Sequence, residues 1–498
     1  MRLSYLAPFD INPCGGCGFV GESERFPLVM LAREAERVSS ADRSYPQTSL
    51  SLRLSVSVSG FSSKPTSAWV NQFKISRKSH LLISTLAASR WKLTAALTVV
   101  RLLATSTTDS IVKKRGKIVV LHFAAQMPLA GVAYQALHYL LGIEQLGYES
   151  WYIEDNGANP YDPRVNSVVM ACDYNVTYLR RIMEHYGFGS RWAYWDAIQN
   201  ICYGLSCNRM RSLYGEATAV INLCGATRLR EEHLACPVRI MVDTDPVYEQ
   251  IKYAKADRAS RTYLDGHTHF FTYGENLGAP DCPVPLCGVP WRATRPPVDC
   301  RLWPGPRDAP SCFTTIGTWE NKGKNIEFEG SQYVWSKHVN FLQFLDLPRC
   351  RPRTCFRLAM LPPNEHVRAV IEGHGWGLVD PRPISADMSR YHDFIAHSGG
   401  EFTVAKDIYV RPNSGWFSDR SACYLAAGRP VVTMRTGFSK FYPVGRGLLE
   451  YTTHEEALAA IDAVTADYPG HSREARALAR EYFSSDRVIG ALLAEAGL

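Results

Sequence analysis

The segment SGWFSDRSACYLAAGRPVVTMRTG, residues 414–437, constrains this chain most, because it reads as loop, helix, stop, buried strand and second loop in that order. Ser418 suits an N-cap, since its hydroxyl can accept from free amides of the first helical turn. Ala422, Leu425 and Ala426 form one apolar stripe. Gly428 ends the helix, Pro430 forbids its continuation, and Val431 to Met434 make a short strand. A helix N-terminus behind a glycine loop presents unpaired N–H groups and a positive dipole end to an anion. The loop at Thr436 and Gly437 lies beside it in this reading, which suits a nucleoside diphosphate. An αβ unit that holds no ligand has the same signature.

Alternation of strands and helices extends through most of the chain. Lys117-Ile-Val-Val-Leu-His-Phe123 is a strand of the buried type, followed by a loop to Gly131 and an amphipathic helix that Gly147 stops. Further strands are expected at 150–154, 219–223, 238–242 and 268–273, with an aromatic-rich helical region from Val176 to Met210. Prolines crowd residues 278–310, which reads as linker. A second alternating run begins at Cys312, with strands near 354–360, 376–379 and 431–434. Its helices are expected at 364–373, 387–397, 419–427, 454–464 and 471–496. Such alternation implies parallel sheets, and ligands of such sheets bind at the carboxyl ends of the strands.

Residues 1–116 have a different character. They are rich in Ser, Thr and Arg and carry about +9 of the chain's charge, leaving about −2 for the rest. Such composition buries too little apolar area to offset ordering entropy, so a poorly ordered, dispensable extension is expected. Leu81 to Ala104 is the most apolar stretch, but Arg90, Lys92 and Arg101 interrupt it. It is expected to be poorly ordered, with a basic surface helix as the alternative. No transmembrane segment is expected, and membrane contact, if any, is peripheral. The near-neutral remainder gives no footprint for nucleic acid. Fourteen cysteines lie scattered, and Cys14-Gly-Gly-Cys17 has no second pair at zinc spacing. That usage fits a reducing, cytoplasmic setting.

From Lys117 to the end, the chain resembles GT-B glycosyltransferases. The carriers are Tyr424-Leu-Ala-Ala-Gly-Arg-Pro-Val-Val432 with Thr436-Gly-Phe438, then Gly445-Arg-Gly-Leu-Leu449 and Glu455-Glu-Ala-Leu-Ala-Ala-Ile461. Ser414-Gly-Trp-Phe-Ser-Asp-Arg420 is most similar to bacterial enzymes of the spore-protein-like group. The resemblance implies an α/β chain of GT-B fold, two Rossmann-like αβα domains facing a central cleft. The N-terminal domain is expected at 117–290, a linker at 291–311 and the donor domain at 312–498. The implied activity is metal-independent transfer of a sugar from a nucleotide-diphosphate sugar to an unknown acceptor, with no further cofactor. One departure matters: many retaining members carry an E-x7-E pair whose positions are Gly415 and Cys423 here. Retaining chemistry therefore does not carry over. A nucleotide-sugar 2-epimerase and a non-catalytic scaffold of the same fold remain open.

Candidate site residues follow from both readings. Lys322 and Lys324, in a glycine-containing loop after the strand at 312, suit a diphosphate by charge. Ser414, Gly415, Ser418, Asp419, Arg420, Thr436 and Gly437 complete the donor side. Arg420 opposes the helix dipole and so serves something besides helix stability, and Asp419 either caps the helix or accepts from a sugar hydroxyl. His122, on the first strand, is a candidate base and equally a core histidine. Asp243 is a second candidate base, and Asp243-Thr-Asp245 is a D-x-D read as cleft-facing rather than metal-binding. Gly131, Asn222 and Asp245 are expected on the acceptor side. His267 and His269 lack a third ligand at recognisable spacing and are expected to be structural.

Overall fold

The computed structural model describes residues 115–305, 312–321 and 323–498. The expectations for Cys14, Cys17, the segment 81–104 and Lys322 lie outside these residues.

Eight strands form the first sheet. They are β1 (Lys117–Leu121), β2 (Glu149–Glu154), β3 (Trp192–Asp196), β4 (Ile201–Gly204), β5 (Ala219–Leu223), β6 (Val238–Asp243), β7 (His269–Thr272) and β8 (Trp291–Ala293). Their spatial order is β8-β7-β6-β5-β1-β2-β3-β4, parallel except for the edge strand β4. The second sheet holds β9 (Cys312–Ile316), β10 (Cys355–Ala359), β11 (Gly377–Val379), β12 (Gly400–Thr403), β13 (Val431–Met434) and β14 (Leu448–Tyr451). Its order is β11-β10-β9-β12-β13-β14, all parallel. Both sheets are doubly wound: the chain builds outward from the first strand, then returns to its other side. The reversal leaves a crevice at the carboxyl ends of β1 and β5 in one sheet, and of β9 and β12 in the other.

The first strand explains itself. Residues 118–121 are fully buried, as a parallel strand covered on both faces must be. It feeds α1 (Ala130–Gln145), whose Ala133, Leu137, Leu140 and Ile143 are buried at helical spacing. The helices used below are α2 (Asp173–His185), α3 (Met388–Ala396), α4 (Asp419–Ala426), α5 (Tyr468–Leu478) and α6 (Ser485–Glu495). The last of them crosses back to the first domain. A Cβ on Gly142 of α1 would lie 2.5 Å from Ile489 and 2.9 Å from Ser485, so the missing side chain lets the two helices touch. Two Rossmann-like αβα domains with facing carboxyl edges, and a final helix returned to the first, constitute the GT-B fold.

Three expectations change. The region 176–210 is not one helical stretch, because β3 and β4 pair within it. Trp192, Ala193 and Tyr194 are buried, and aromatic residues favour a strand where a sheet edge is available. The expected helix over 471–496 breaks at Ser484, whose ψ of 136° is extended. The amide of Ser485 there donates to Val298 O, and the Val298 amide to Phe483 O. That break turns the chain from the second domain to the first. The expected linker at 291–311 starts with β8, and its Trp303 is fully buried, so its described part, 291–305, packs against the domains rather than serving as a spacer. Cys202 with Cys207, and Cys312 with Cys355, are paired as disulfides. No helix of the described residues is long and apolar enough to cross a membrane.

Candidate functional site

The crevice of the second sheet is lined by cations. β9 ends at Ile316, and the loop behind it opens with Gly317. A Cβ placed on Gly317 would sit 3.6 Å from Arg420 Nη1 and 4.0 Å from Lys337 Nζ, so this bare backbone faces two positive side chains. Arg420, in the first turn of α4, donates from Nε to Glu401 Oε1 at 2.5 Å, from Nη1 to Ile316 O at 3.0 Å and from Nη2 to Thr403 Oγ1 at 3.1 Å. Glu401 is fully buried in β12 and its Oε2 has no partner. Lys337 is 6% exposed. Its one hydrogen bond is a long 3.5 Å contact to Thr403 Oγ1. Burial, with the Arg420 charge beside it, holds the Lys337 ammonium well below the usual lysine range. An anion over Gly317 would give this desolvated ammonium a direct counter-charge.

A second group of charges lies between the domains. Asp245 accepts from Lys406 at 3.3 Å and from the Tyr409 hydroxyl. Lys406 lies 3.8 Å from the Trp335 ring centroid, and Lys324 5.0 Å from the same ring. Asp243, at the end of β6, accepts from Gln250 at 2.8 Å and Thr272 at 3.1 Å. Burial pushes the Asp243 carboxyl up to about 7. The folded state thus prefers the protonated acid, and its contribution to stability is lost as pH rises from the ordinary carboxylate range through about 7. Asp243→Asn is therefore expected to raise thermal stability at pH 8, with the gain shrinking at pH 5. Equal gains at both pH values would show that this carboxyl does not titrate there.

His122 follows β1 and is fully buried. Its Nε2 lies 3.0 Å from Gln135 Oε1. A carbonyl oxygen only accepts, so Nε2 carries the proton and the lone pair sits on Nδ1, which has no partner. Burial lowers the imidazole to about 4, leaving it neutral. Gln135 Oε1 also accepts from Cys224 Sγ at 3.1 Å. Gln135 further bonds Asp419 of α4, a contact that partly offsets the burial which pushes this carboxyl up to about 7. His122 and the first turn of α4 thus belong to one network across the domain boundary.

Several expected donor groups are occupied elsewhere. The Ser418 hydroxyl makes no capping bond. Ser414 Oγ donates to Tyr409 O at 2.9 Å, and Thr436 Oγ1 to Trp416 O at 2.5 Å. The Gly415 amide donates to Thr436 O at 2.6 Å, so it is not free for phosphate. A Cβ on Gly437 would meet Asn413 Oδ1 at 2.6 Å. These four residues therefore knit two loops together, and the backbone that lies against the two cationic side chains is that of Gly317. Gly415 also carries a close approach of the domains: its φ is +80°, and a Cβ there would lie 2.4 Å from the Asn276 amide nitrogen. Gly415→Ala is expected to cost about 1–2 kcal/mol from the left-handed backbone alone, and more from the clash. An unchanged melting temperature would contradict this packing.

The acceptor-side expectations divide. Asn222 is fully buried and spends its amide on Thr227 and His267, so it supports its own turn and offers no group to the cleft. A Cβ on Gly131 would meet Tyr391 Oη at 3.3 Å, which places it against α3 of the other domain. His267 bonds Leu264 O and Asn222, and His269 bonds Thr268, both structural contacts. Among the described residues, Asp155, Glu232 and His233 cluster closely enough for a metal, but Arg230 fills that place with an ion pair to Asp155 at 2.6 Å.

Lys337, Glu401, Gln135 and Lys406 went unnoticed in the sequence. Glu401 had a signal: a carboxylate inside the apolar run Gly-Glu-Phe-Thr-Val-Ala needs a buried partner. Lys337 had none, since it follows a short hairpin whose length no local pattern sets.

No family model matches the chain, and no curated protein does. Solved structures of similar shape include an alpha-glucosyltransferase in complex with UDP, at 10% identity, covering 77% of this chain and 100% of that one, with a TM-score of 0.47. Another is AviGT4, a glycosyltransferase involved in avilamycin A biosynthesis, at 14% identity, 76% and 97% coverage and a TM-score of 0.44. A third is Anabaena HepE in complex with UDP, at 10% identity, 76% and 100% coverage and a TM-score of 0.45. The spore-protein-like group is not singled out by these comparisons.

Proposed function

We propose that this chain is a glycosyltransferase that takes a sugar from a nucleoside-diphosphate donor. The observation that carries the reading is the convergence of Lys337 and Arg420 on the bare Gly317 backbone, at the crevice of the second sheet. Two cations fixed in a desolvated site stabilise a leaving diphosphate without reorganising, a task that a metal ion fills elsewhere. The acceptor hydroxyl loses its proton to a base as its oxygen bonds the anomeric carbon, and the bond from that carbon to the diphosphate oxygen breaks. His122 suits the base, with its neutral ring and its lone pair on the unpartnered Nδ1. Asp243 is the other candidate, poised near neutral pH.

Calorimetry of the full chain with UDP, GDP, dTDP and ADP, each with and without Mn²⁺, tests the reading. Metal-independent binding of one diphosphate is the expected result. Absence of binding by all four would remove the donor site, and strict dependence on Mn²⁺ would move the phosphate away from Lys337 and Arg420.

A further inference from the structure

A cavity of about 660 Å³ lies apart from the cationic crevice, walled by α1 and α2 of the first domain and by residues 386–389 at the start of α3 in the second. Its size falls within the range of pockets that hold whole small ligands. The α2 end is fastened to the loop behind His122, because Asn175 Nδ2 donates to Ala125 O at 2.7 Å and to Tyr161 O at 2.8 Å. The opposite wall is closed by Tyr134, whose hydroxyl donates to Met388 O at 3.3 Å. Asn175 thus ties α2 to the loop that follows His122, and residues of both domains line the cavity.

Its chemistry is specific. Tyr174 and Tyr178 stack along α2 with ring centroids 6.5 Å apart and planes inclined by 20°. The guanidinium of Arg164 lies 4.5 Å from the Tyr174 centroid, held there by its ion pair with Asp162. The Tyr178 hydroxyl is buried and has no hydrogen-bond partner among the described residues. Arg181, one turn further along α2, is exposed and has no ion-pair partner among the described residues. Asp173 and Thr177 add hydroxyl-binding groups on the same wall. Flat aromatic faces edged by hydrogen-bonding side chains match a sugar ring, which is apolar on its C–H face and polar around its rim. An apolar ligand would find few aliphatic contacts here.

We propose that this cavity is the acceptor site and that it takes an oligosaccharide bearing an anionic group, which Arg181 receives. The assignment rests on the glycosyltransferase reading above for the word acceptor, but its binding chemistry stands by itself. Tyrosine faces hold the rings, the Tyr178 hydroxyl gains the partner it lacks, and the ligand's carboxylate or phosphate pairs with Arg181.

Two probes of equal length test it: trigalacturonic acid and maltotriose, titrated into the full chain at low salt and followed by ligand-detected NMR. The acidic trisaccharide is expected to bind about tenfold more tightly, the size of one charge-assisted hydrogen bond. Arg181→Gln removes that preference, and Tyr174→Ala weakens both sugars, while UDP affinity stays as in the parent. Absence of binding by both sugars, or a preference that survives Arg181→Gln, overturns the proposal. Sugar binding without any nucleotide binding would instead sink the donor reading and leave the saccharide site standing.

Discussion

Lys337→Met is expected to make the protein more stable and to weaken nucleotide binding. This ammonium is buried, meets no carboxylate within ion-pair distance among the described residues and makes a long hydrogen bond to Thr403. A thioether of similar length fills the same space without desolvating a charge. The gain should be about 0.5–2 kcal/mol, the usual yield when a group kept for function is replaced. Its pH dependence has a definite sign. The folded state lowers the lysine's proton affinity, so the unfolded chain binds more protons between that depressed value and the ordinary lysine range. Parent stability therefore rises with pH across that window, and the advantage of methionine shrinks toward alkaline pH. Nucleotide affinity should fall roughly 10–100-fold, the loss of a charge-assisted contact to phosphate. A bound diphosphate would raise the lysine's proton affinity again, so between its free and bound pKa values parent binding takes up protons that the variant's does not. Titration in two buffers of different ionisation enthalpy reads that uptake directly. A variant that binds UDP like the parent would show that this lysine is buried for reasons unrelated to phosphate.

The architecture was legible because its signals are local. The strand at 117–121 is an apolar run, and α4 is bounded by Ser418 and Gly428, so period and punctuation suffice. The errors fall where tertiary context decides. Trp192 and Tyr194 fit an aromatic helix as well as a strand until the edge of β2 is there to receive them. The break at Ser484 depends on Val298, almost two hundred residues earlier in the chain. The site was legible in part. Arg420 was placed by the anomaly of a cation at a helix N-terminus, and it lies in the crevice. Ser414, Thr436 and Gly437 lie near it but spend their polar groups on each other, which no sequence pattern distinguishes from phosphate binding. Lys337 reaches the crevice through a loop and hairpin whose path only the folded chain defines.

Arg420 is the residue whose replacement should do most damage, and its fold and function must be separated. The carboxylate of Glu401 is fully buried in β12, and Arg420 is its one ion-pair partner among the described residues. Thr315 adds a neutral hydrogen bond to Oε1 at 3.3 Å, and Oε2 has none. Arg420→Ala strands that charge, and breaking a buried pair from one side costs roughly 3–5 kcal/mol. Lost turnover in this variant would therefore say little about phosphate. Replacing both members, as Arg420→Met with Glu401→Leu, removes the stranded charge along with its partner, and such exchanges are often neutral or stabilising. The double variant is expected to melt close to the parent, so that the two single losses are strongly non-additive. Its nucleotide affinity should stay low, because the guanidinium beside Gly317 is gone. A double variant that melts normally and binds UDP normally would reduce Arg420 to a structural counter-ion and leave Lys337 alone at the phosphate. A double variant that remains as unstable as Arg420→Ala would mean that the bonds to Ile316 O and Thr403, rather than the ion pair, hold this corner of the domain together.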